Sequence, residues 1–246
     1  MSFGKDAAIT IHHIEGRRSF RVIWLCEELA IPYRLAFKVG DVLGSLVAMR
    51  NAFPSMPMSP VVHYDGEYIV ESGAILEILV ARHGNGRLAP PSDSKDFLFH
   101  QQWMHFAEAT LMARMGIERF IAMSTGVDVD KVPRGWTRSM PIDAPMMVGS
   151  VGVFDFVEEY LSEHAYFGGN EFSAADIMMQ YAVRGAKLVV WIDSADYPHI
   201  AAWRRKVESR PAFERAAKAA LPGGADEHGL PLGQPLPFPP PPPRGT

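Results

Sequence analysis

Residues 59–79 read SPVVHYDGEYIVESGAILEIL, and the order of signals in this stretch sets the fold. Val61 to Tyr64 and Tyr68 to Val70 are short runs rich in β-branched and aromatic residues, as strands are. Asp65-Gly66 between them suits a two-residue hairpin turn, whose central positions need positive φ. Ser72 then opens an apolar-periodic run, GAILEILVARHG, which Gly84 closes; this predicts a helix. Pro60 stands at the mouth of the first strand, where a proline is tolerated on an edge. A cis Ser59-Pro60 bond would turn the Ser59 backbone N–H and C=O outward towards a peptide-like ligand. Cis is a small minority of X-Pro bonds, so an ordinary strand-entry proline is the expectation from these residues alone.

Towards the N-terminus, Ala8 to His13 (AITIHH) reads as a strand and Glu15 to Arg18 as a turn. Ser19 precedes FRVIWLCEELAI, with apolar residues at 22, 23, 25, 26 and 29. That is helical spacing, and Pro32 ends it. Tyr33 to Val39 reads as a second strand and Val42 to Arg50 as a helix. The order is β-α-β-α-β-β-α, in which the first half can form a parallel βαβ unit and the second an antiparallel hairpin with a helix.

Towards the C-terminus, a linker from Gly86 to Ser94 contains Pro90-Pro91, and the pattern beyond it is helical. Helices are expected over Phe97–Met115, Met146–His164, Ala174–Val190 and Ile200–Ser209. Pro211 suits the first turn of a last short helix. Residues 119 to 140 read as loop because of Gly126, Pro133 and Gly135. From Pro222 to Thr246 the chain holds nine of its twenty prolines, a composition that favours polyproline II over a packed core. The expected class is therefore α+β. Residues 1–84 form the first domain, 85–94 a linker, 95–221 an all-helical domain and 222–246 a Pro-rich tail, either a solvated extension or an arm.

Composition excludes several function classes. The chain has 246 residues, 48% hydrophobic and 21% charged, with a net charge of −4. That balance builds a core and argues against an electrostatic grip on nucleic acid or an anionic membrane. The single cysteine, Cys26, rules out an intrachain disulfide and a Cys-x-x-Cys or four-cysteine site. No apolar run reaches the roughly 18 to 20 residues of a spanning helix, and the N-terminal stretch lacks a signal peptide's apolar segment. The expectation is a cytoplasmic protein.

Four features carry possible chemistry. Glu71-Ser72 sits at a helix start, where a hydroxyl and free backbone N–H groups can take a carboxylate and the acid can hold an ammonium; Ser72 also suits a plain N-cap. Ser173-x-x-Asp176 has capping-box spacing and reads as a folding element. Gly16-Arg17-Arg18-Ser19 follows the first strand, and its arginines are either solvated or face an anion. Ser59-Pro60 is the fourth. His12 and His13 lack partners for a metal site, and Cys26 sits on the interior pattern of its helix. No Gly-rich phosphate loop or Gly-x-Ser-x-Gly elbow occurs.

In this order and spacing, SFRVIWLCEELAIPYRL, SPVVHYDGEYIVESGAILEIL, WMHFAEATLM, FGGNEFSAADIMM and AAWRRKVESRPAFERA resemble the glutathione S-transferase family over residues 8 to 220. They are most similar to a bacterial and fungal subgroup whose first helix carries Trp-Leu-x-Glu-Glu-Leu, here Trp24 to Leu29. The resemblance implies a thioredoxin-like first domain that binds glutathione, a helical second domain, a homodimer with the site at the domain interface, and a role in detoxification. It implies no metal, nucleic-acid or membrane partner.

By the same resemblance, Pro60 falls on the family's cis-proline, and Ser59, with Val61 beyond it, on the segment that pairs with the cysteinyl unit. Glu71 and Ser72 fall on the pair that holds the γ-glutamyl end. Relatives write the turn after the first strand as Ser-Arg-Ser-x-Arg, with the first serine near the glutathione sulfur. Here the frame is Arg17-Arg18-Ser19-Phe20-Arg21, which leaves Ser19, Arg17 or backbone amides to hold a thiolate. The usual Gly-Lys before Ser-Pro is Pro57-Met58. The wall for a hydrophobic electrophile is expected at Glu108, Met112 and Met115, a turn or so apart, although methionines at that spacing also suit a core. Three functions fit: attack of a glutathione thiolate on an electrophile, glutathione-dependent cleavage of an aryl ether, halide or epoxide, and glutathione binding without turnover.

Overall fold

The computed structural model describes residues 9–117, 150–184 and 196–224. Among these, the strands are β1 (Ile9–His12), β2 (Tyr33–Ala36), β3 (Val61–Tyr64) and β4 (Glu67–Ile69). The helices are α1 (Ser19–Leu29), α2 (Val42–Ala52), α3 (Ser72–His83), α4 (Lys95–Phe106), α5 (Ser150–Glu163), α6 (Ala174–Arg184), α7 (Pro198–Glu208) and α8 (Pro211–Ala220). The expected loop over 119–140, the helix segments 146–149 and 185–190, and the tail from 225 onward lie outside the described residues.

The described residues divide into two compact units: those of 9–88 together with 208–224, and those within 89–207. In the first, the sheet order is β2-β1-β3-β4, with β1 parallel to β2 and antiparallel to β3, and β3 antiparallel to β4. Together with the β-α-β-α-β-β-α order this is a thioredoxin-like layer. Asp65 and Gly66 take φ 55° and 83°, the left-handed pair a two-residue hairpin demands. Ile14, Met49 and Val61 form a cluster to which Val42, Leu46, Phe53 and Val70 add, so α2 covers the Val61 face. Val62 points the other way by strand alternation and is also fully buried. Both faces are thus covered, and α1 packs against α3.

The last helix departs from the expected domain division. α8, expected among residues 95–221, groups with the first unit. The cause is a stripe on α1 at helical spacing, Phe20, Trp24, Glu27 and Glu28. Phe213 stands edge-on to Phe20 and Trp24 at 5.3 and 4.9 Å between ring centres. The Arg210 guanidinium donates to both oxygens of Glu28 at 2.6 and 2.8 Å, and Arg215 donates to Glu27 at 2.7 Å. Pro211 occupies the first helical turn, as expected.

In the second unit, Ser94 caps α4 by accepting from Phe97 N–H at 3.2 Å. The expected single helix over Phe97–Met115 changes to π-helix at Ala107–Met112. Trp103, fully buried, is ringed by Phe106, Phe156, Tyr160 and Phe167. Asp176 is wholly buried and accepts from Ser173 N–H, Phe167 N–H and Trp203 Nε1–H at 2.8, 3.0 and 2.8 Å. Asp176 reaching back to Ser173 N–H is the half of the capping box the spacing predicts, while Ser173 Oγ accepts from Ala175 N–H, one residue earlier than in the full box. Burial pushes the Asp176 carboxyl up to about 6.

Candidate functional site

Sheet register brings three loops to one end of the first unit. His12 pairs with Val61 and Val62 with Ile69, so the chain leaving β1, the chain entering β3 and the chain leaving β4 all lie at the same end of the sheet. The turn after β1, the Ser59-Pro60 entry to β3 and the Glu71-Ser72 start of α3 therefore converge. These loops carry Arg17, Ser19, Ser59, Pro60, Val61, Glu71 and Ser72. Strand alternation and the pairing pattern put them together although they are far apart in sequence.

The Ser59-Pro60 bond is cis, which overturns the ordinary strand-entry geometry expected from composition and agrees with the family pattern. Ser59 Oγ is buried and has no hydrogen-bond partner. Glu71 precedes α3 with φ 70° and ψ 105°, a left-side conformation that costs a non-glycine residue of order 1–3 kcal/mol and clusters at functional positions. Its side chain is exposed, whereas Ser72 is buried. An exposed carboxylate beside a hydroxyl and a helix N-terminus can receive an ammonium and a carboxylate from one ligand.

Beneath Ser72 lies Arg21, a residue that sequence analysis placed only as the last arginine of the family's turn pattern, without its partner. Arg21, on α1, is fully buried, and its guanidinium donates to Ser72 Oγ at 3.0 Å. Its local signals were that match to the family's turn pattern and a charge flanked by the apolar run Val22 to Cys26.

The Ser19 hydroxyl is engaged within the first unit. It is fully buried, and its Oγ lies 2.8 Å from His13 Nδ1. His13 Nε2 lies 2.8 Å from the Ala220 carbonyl oxygen, which can only accept. Nε2 therefore carries the proton, Nδ1 is the acceptor, and Ser19 donates its hydroxyl hydrogen to it. Burial pulls the His13 imidazole down to about 4, so the ring is neutral. The first-turn amides are also engaged: Phe20 N–H and Arg21 N–H close on the carbonyls of Arg17 and Arg18 at 3.1 Å. Arg17 is half-buried in the same turn.

The three residues expected to form an electrophile wall divide. Glu108 and Met112 lie in the π-helical segment and are partly buried, whereas Met115 is fully buried in the core of its unit. A π turn closes i→i+5 bonds and takes an extra residue, so residues beyond it rotate off the face that plain helical spacing assigns.

Cys26 is buried, and burial pushes its thiol up to about 12; such a thiol stays protonated and inert. Among the described residues no group of His, Cys, Asp and Glu could hold a metal ion, and no helix is long and apolar enough to cross a membrane.

Residues 150–211 match the family model described as glutathione S-transferase, C-terminal domain. The chain is similar to glutathione S-transferase 3 of Schizosaccharomyces pombe, with 30% identity covering 85% of this chain and 87% of the relative. It is similar to glutathione S-transferase 1 of Saccharomyces cerevisiae at 22% identity, covering 86% and 95%. Its fold is similar to the theta class glutathione S-transferase of Xanthomonas axonopodis pv. citri, solved with glutathione bound. That match has a TM-score of 0.63 and 21% identity and covers 85% of this chain and 97% of that one. Glutathione transferase E6 of Drosophila melanogaster matches with a TM-score of 0.65 and 24% identity, covering 86% and 92%.

Proposed function

The chain belongs to the glutathione S-transferase family, and from that premise we propose that its first unit binds glutathione and activates it as a thiolate towards a hydrophobic electrophile. The observation that carries the proposal is the Glu71-Ser72 pair: a strained, exposed acid and a buried hydroxyl at the N-terminus of α3. They match the ammonium and carboxylate of a γ-glutamyl group. Ser59 at the cis bond offers its backbone to the cysteinyl unit, with Pro60 and Val61 shaping that edge.

A thiol near its free value of about 8.5 is mostly protonated at neutral pH. In this reading Arg17 lowers it. A guanidinium is always charged and stabilises a thiolate by Coulomb attraction without surrendering a proton. Ser19 is set aside because its hydrogen is committed to His13. That same commitment favours a second reading, binding without turnover, since the turn offers no uncommitted hydroxyl to the sulfur.

Calorimetry with glutathione tests the first step. Ser72→Ala removes a hydrogen bond to a charged group, worth roughly 1.5–3 kcal/mol or about ten- to hundred-fold in affinity. An unchanged affinity, or a parent protein that binds no glutathione, overturns the assignment. Turnover of a chloronitroarene separates enzyme from binder, and a thioether product rather than a released phenol or halide separates conjugation from cleavage. Sedimentation tests the homodimer that the family implies.

A further inference from the structure

α2 carries apolar residues on its outer side as well as its inner one. Val42, Leu46 and Phe53 pack towards Ile14, Met49 and Val61, whereas Leu43 and Val47, one helical turn apart, are 63% and 59% exposed. Val39, in the turn before the helix, is 59% exposed as well. Arg50 is the one charged residue in the helix. A helix that is apolar all round belongs in an interior, so this outer strip calls for a cover. Three side chains fall well short of the roughly 800 Å² per partner of a stable protein–protein interface. A cover tied to the chain itself needs far less area, because a short tether supplies an effective concentration in about the millimolar range.

The C-terminal end of the described chain leaves the first unit beside this strip. The Ala220 carbonyl meets His13 Nε2 at 2.8 Å, Leu221 is buried, and the His13 ring stands edge-on to Phe37 at 4.8 Å between centres. Lys38 and Val39, which follow Phe37, are exposed. From residue 225 the sequence reads ADEHGLPLGQPLPFPPPPPRGT. Asp226 and Glu227 come first and complement Lys38, which sets direction and register. Leu230, Leu232, Leu236 and Phe238 follow, interleaved with prolines. The six residues from Gly224 to Leu230 reach about 20 Å. The eight steps from Leu230 to Phe238 cover about 25 Å as polyproline II, more than the roughly 16 Å length of α2. A polyproline segment is extended before it docks, so it loses little entropy on an apolar surface.

We propose that residues 230–238 of the C-terminal tail lie across the outer side of α2 as an intramolecular strap over Val39, Leu43 and Val47. Of the two expectations for the tail, a solvated extension or an arm, this one selects the arm and names the surface it covers. It needs no bound glutathione and stands apart from the function proposed above.

The tail carries its own probe. Leu232-Gly233 is the one bond beyond residue 224 that follows a leucine or phenylalanine and is not blocked by a proline after it, so chymotrypsin cuts the tail there. Release of residues 233–246 is followed by mass spectrometry in the full chain and in a synthetic peptide of residues 225–246. The full chain is cut at least tenfold more slowly than the peptide, at a rate that tenfold dilution leaves unchanged. Leu43→Gln with Val47→Gln speeds cutting at least fivefold. Leu236→Ser with Phe238→Ser does the same from the tail side, while changing the rate in the peptide less than twofold. In that tail variant, the two α2 substitutions change the rate less than twofold, because the strap is already released. Should the α2 variant not fold, the tail variant is read by hydrogen exchange: amides of residues 42–52 exchange at least threefold faster than in wild type, and those of α3 do not change. A full chain cut as fast as the peptide overturns the strap in favour of a solvated tail. Slow cutting that is indifferent to the folded α2 variant, or exchange of α2 indifferent to the tail variant, places the tail elsewhere and overturns it too. Protection lost on dilution assigns the strip to a second copy of the chain instead.

Discussion

Replacing Ser19 by alanine should cost stability and leave a bound thiol's pKa where it is. The Ser19 hydroxyl is fully buried and donates to His13 Nδ1 at 2.8 Å. His13 is locked by its second nitrogen against the Ala220 carbonyl, so the ring cannot turn to find another donor. The variant leaves a buried acceptor unpaired, which costs about 1–3 kcal/mol. For a chain of this size each 1 kcal/mol lowers the melting temperature by about 2–4 °C, so a fall of about 4–8 °C is expected for a loss near the middle of that range. Arg17→Ala is the counterpart. At about 4 Å and an effective dielectric of 20, a unit charge is worth about 4 kcal/mol, before solvent screening of a half-exposed group. A third of that is about one pKa unit, since each unit is about 1.36 kcal/mol. The assays are urea denaturation of the free proteins and the ultraviolet thiolate absorbance of their glutathione complexes across pH. Ser19→Ala shifts the denaturation midpoint and not the thiol; Arg17→Ala raises the thiol's pKa by about one unit and leaves the midpoint nearly in place. A Ser19→Ala protein of unchanged stability whose bound thiol rises by a unit or more refutes the tautomer argument and returns Ser19 to the sulfur.

Asp176→Ala orphans three buried donors, Ser173 N–H, Phe167 N–H and Trp203 Nε1–H, and should cost about 3 kcal/mol or more; a normal denaturation midpoint with lost activity would make Asp176 functional instead of structural. Stability should also follow pH. Burial holds His13 and His100 down at about 4, against about 6.5 in an unfolded chain. Their contribution is full above 6.5 and is lost as pH falls towards 4. Asp176 has the opposite sign: raised to about 6, its contribution is full below its unfolded value and is lost as pH rises through 6. Two histidines against one acid, with His12 also lowered by burial and by His63, give a net uptake of protons on unfolding between pH 4 and 6, about 1.36 kcal/mol per pH unit for each net proton. Urea midpoints that stay level or rise on acidification across that window contradict this balance.

Short-range signals determined much of this protein by sequence alone. Asp65-Gly66 between two β-branched runs is sufficient for a hairpin because few dipeptides accept two left-handed residues in succession. Ser173 and Asp176 cap α6 because the three-residue spacing is itself the geometry. The strand and helix order and the family motifs followed from the same local periodicity, and with them the Glu71-Ser72 pair as a candidate carboxylate site. What tertiary structure alone decided is where polar groups find partners. His13 reaches Ala220 across 207 positions, and that contact orients the imidazole that takes up the Ser19 hydroxyl. Arg210 and Phe213 bind the α1 stripe, which moves α8 from the helical domain to the first unit. Arg21 meets Ser72 only because α1 and α3 pack together. The π turn at Ala107–Met112 carries Met115 into the core. Periodicity states which face of an element is apolar; which segment covers that face, and which buried donor or acceptor it brings along, depends on the whole chain packing at once.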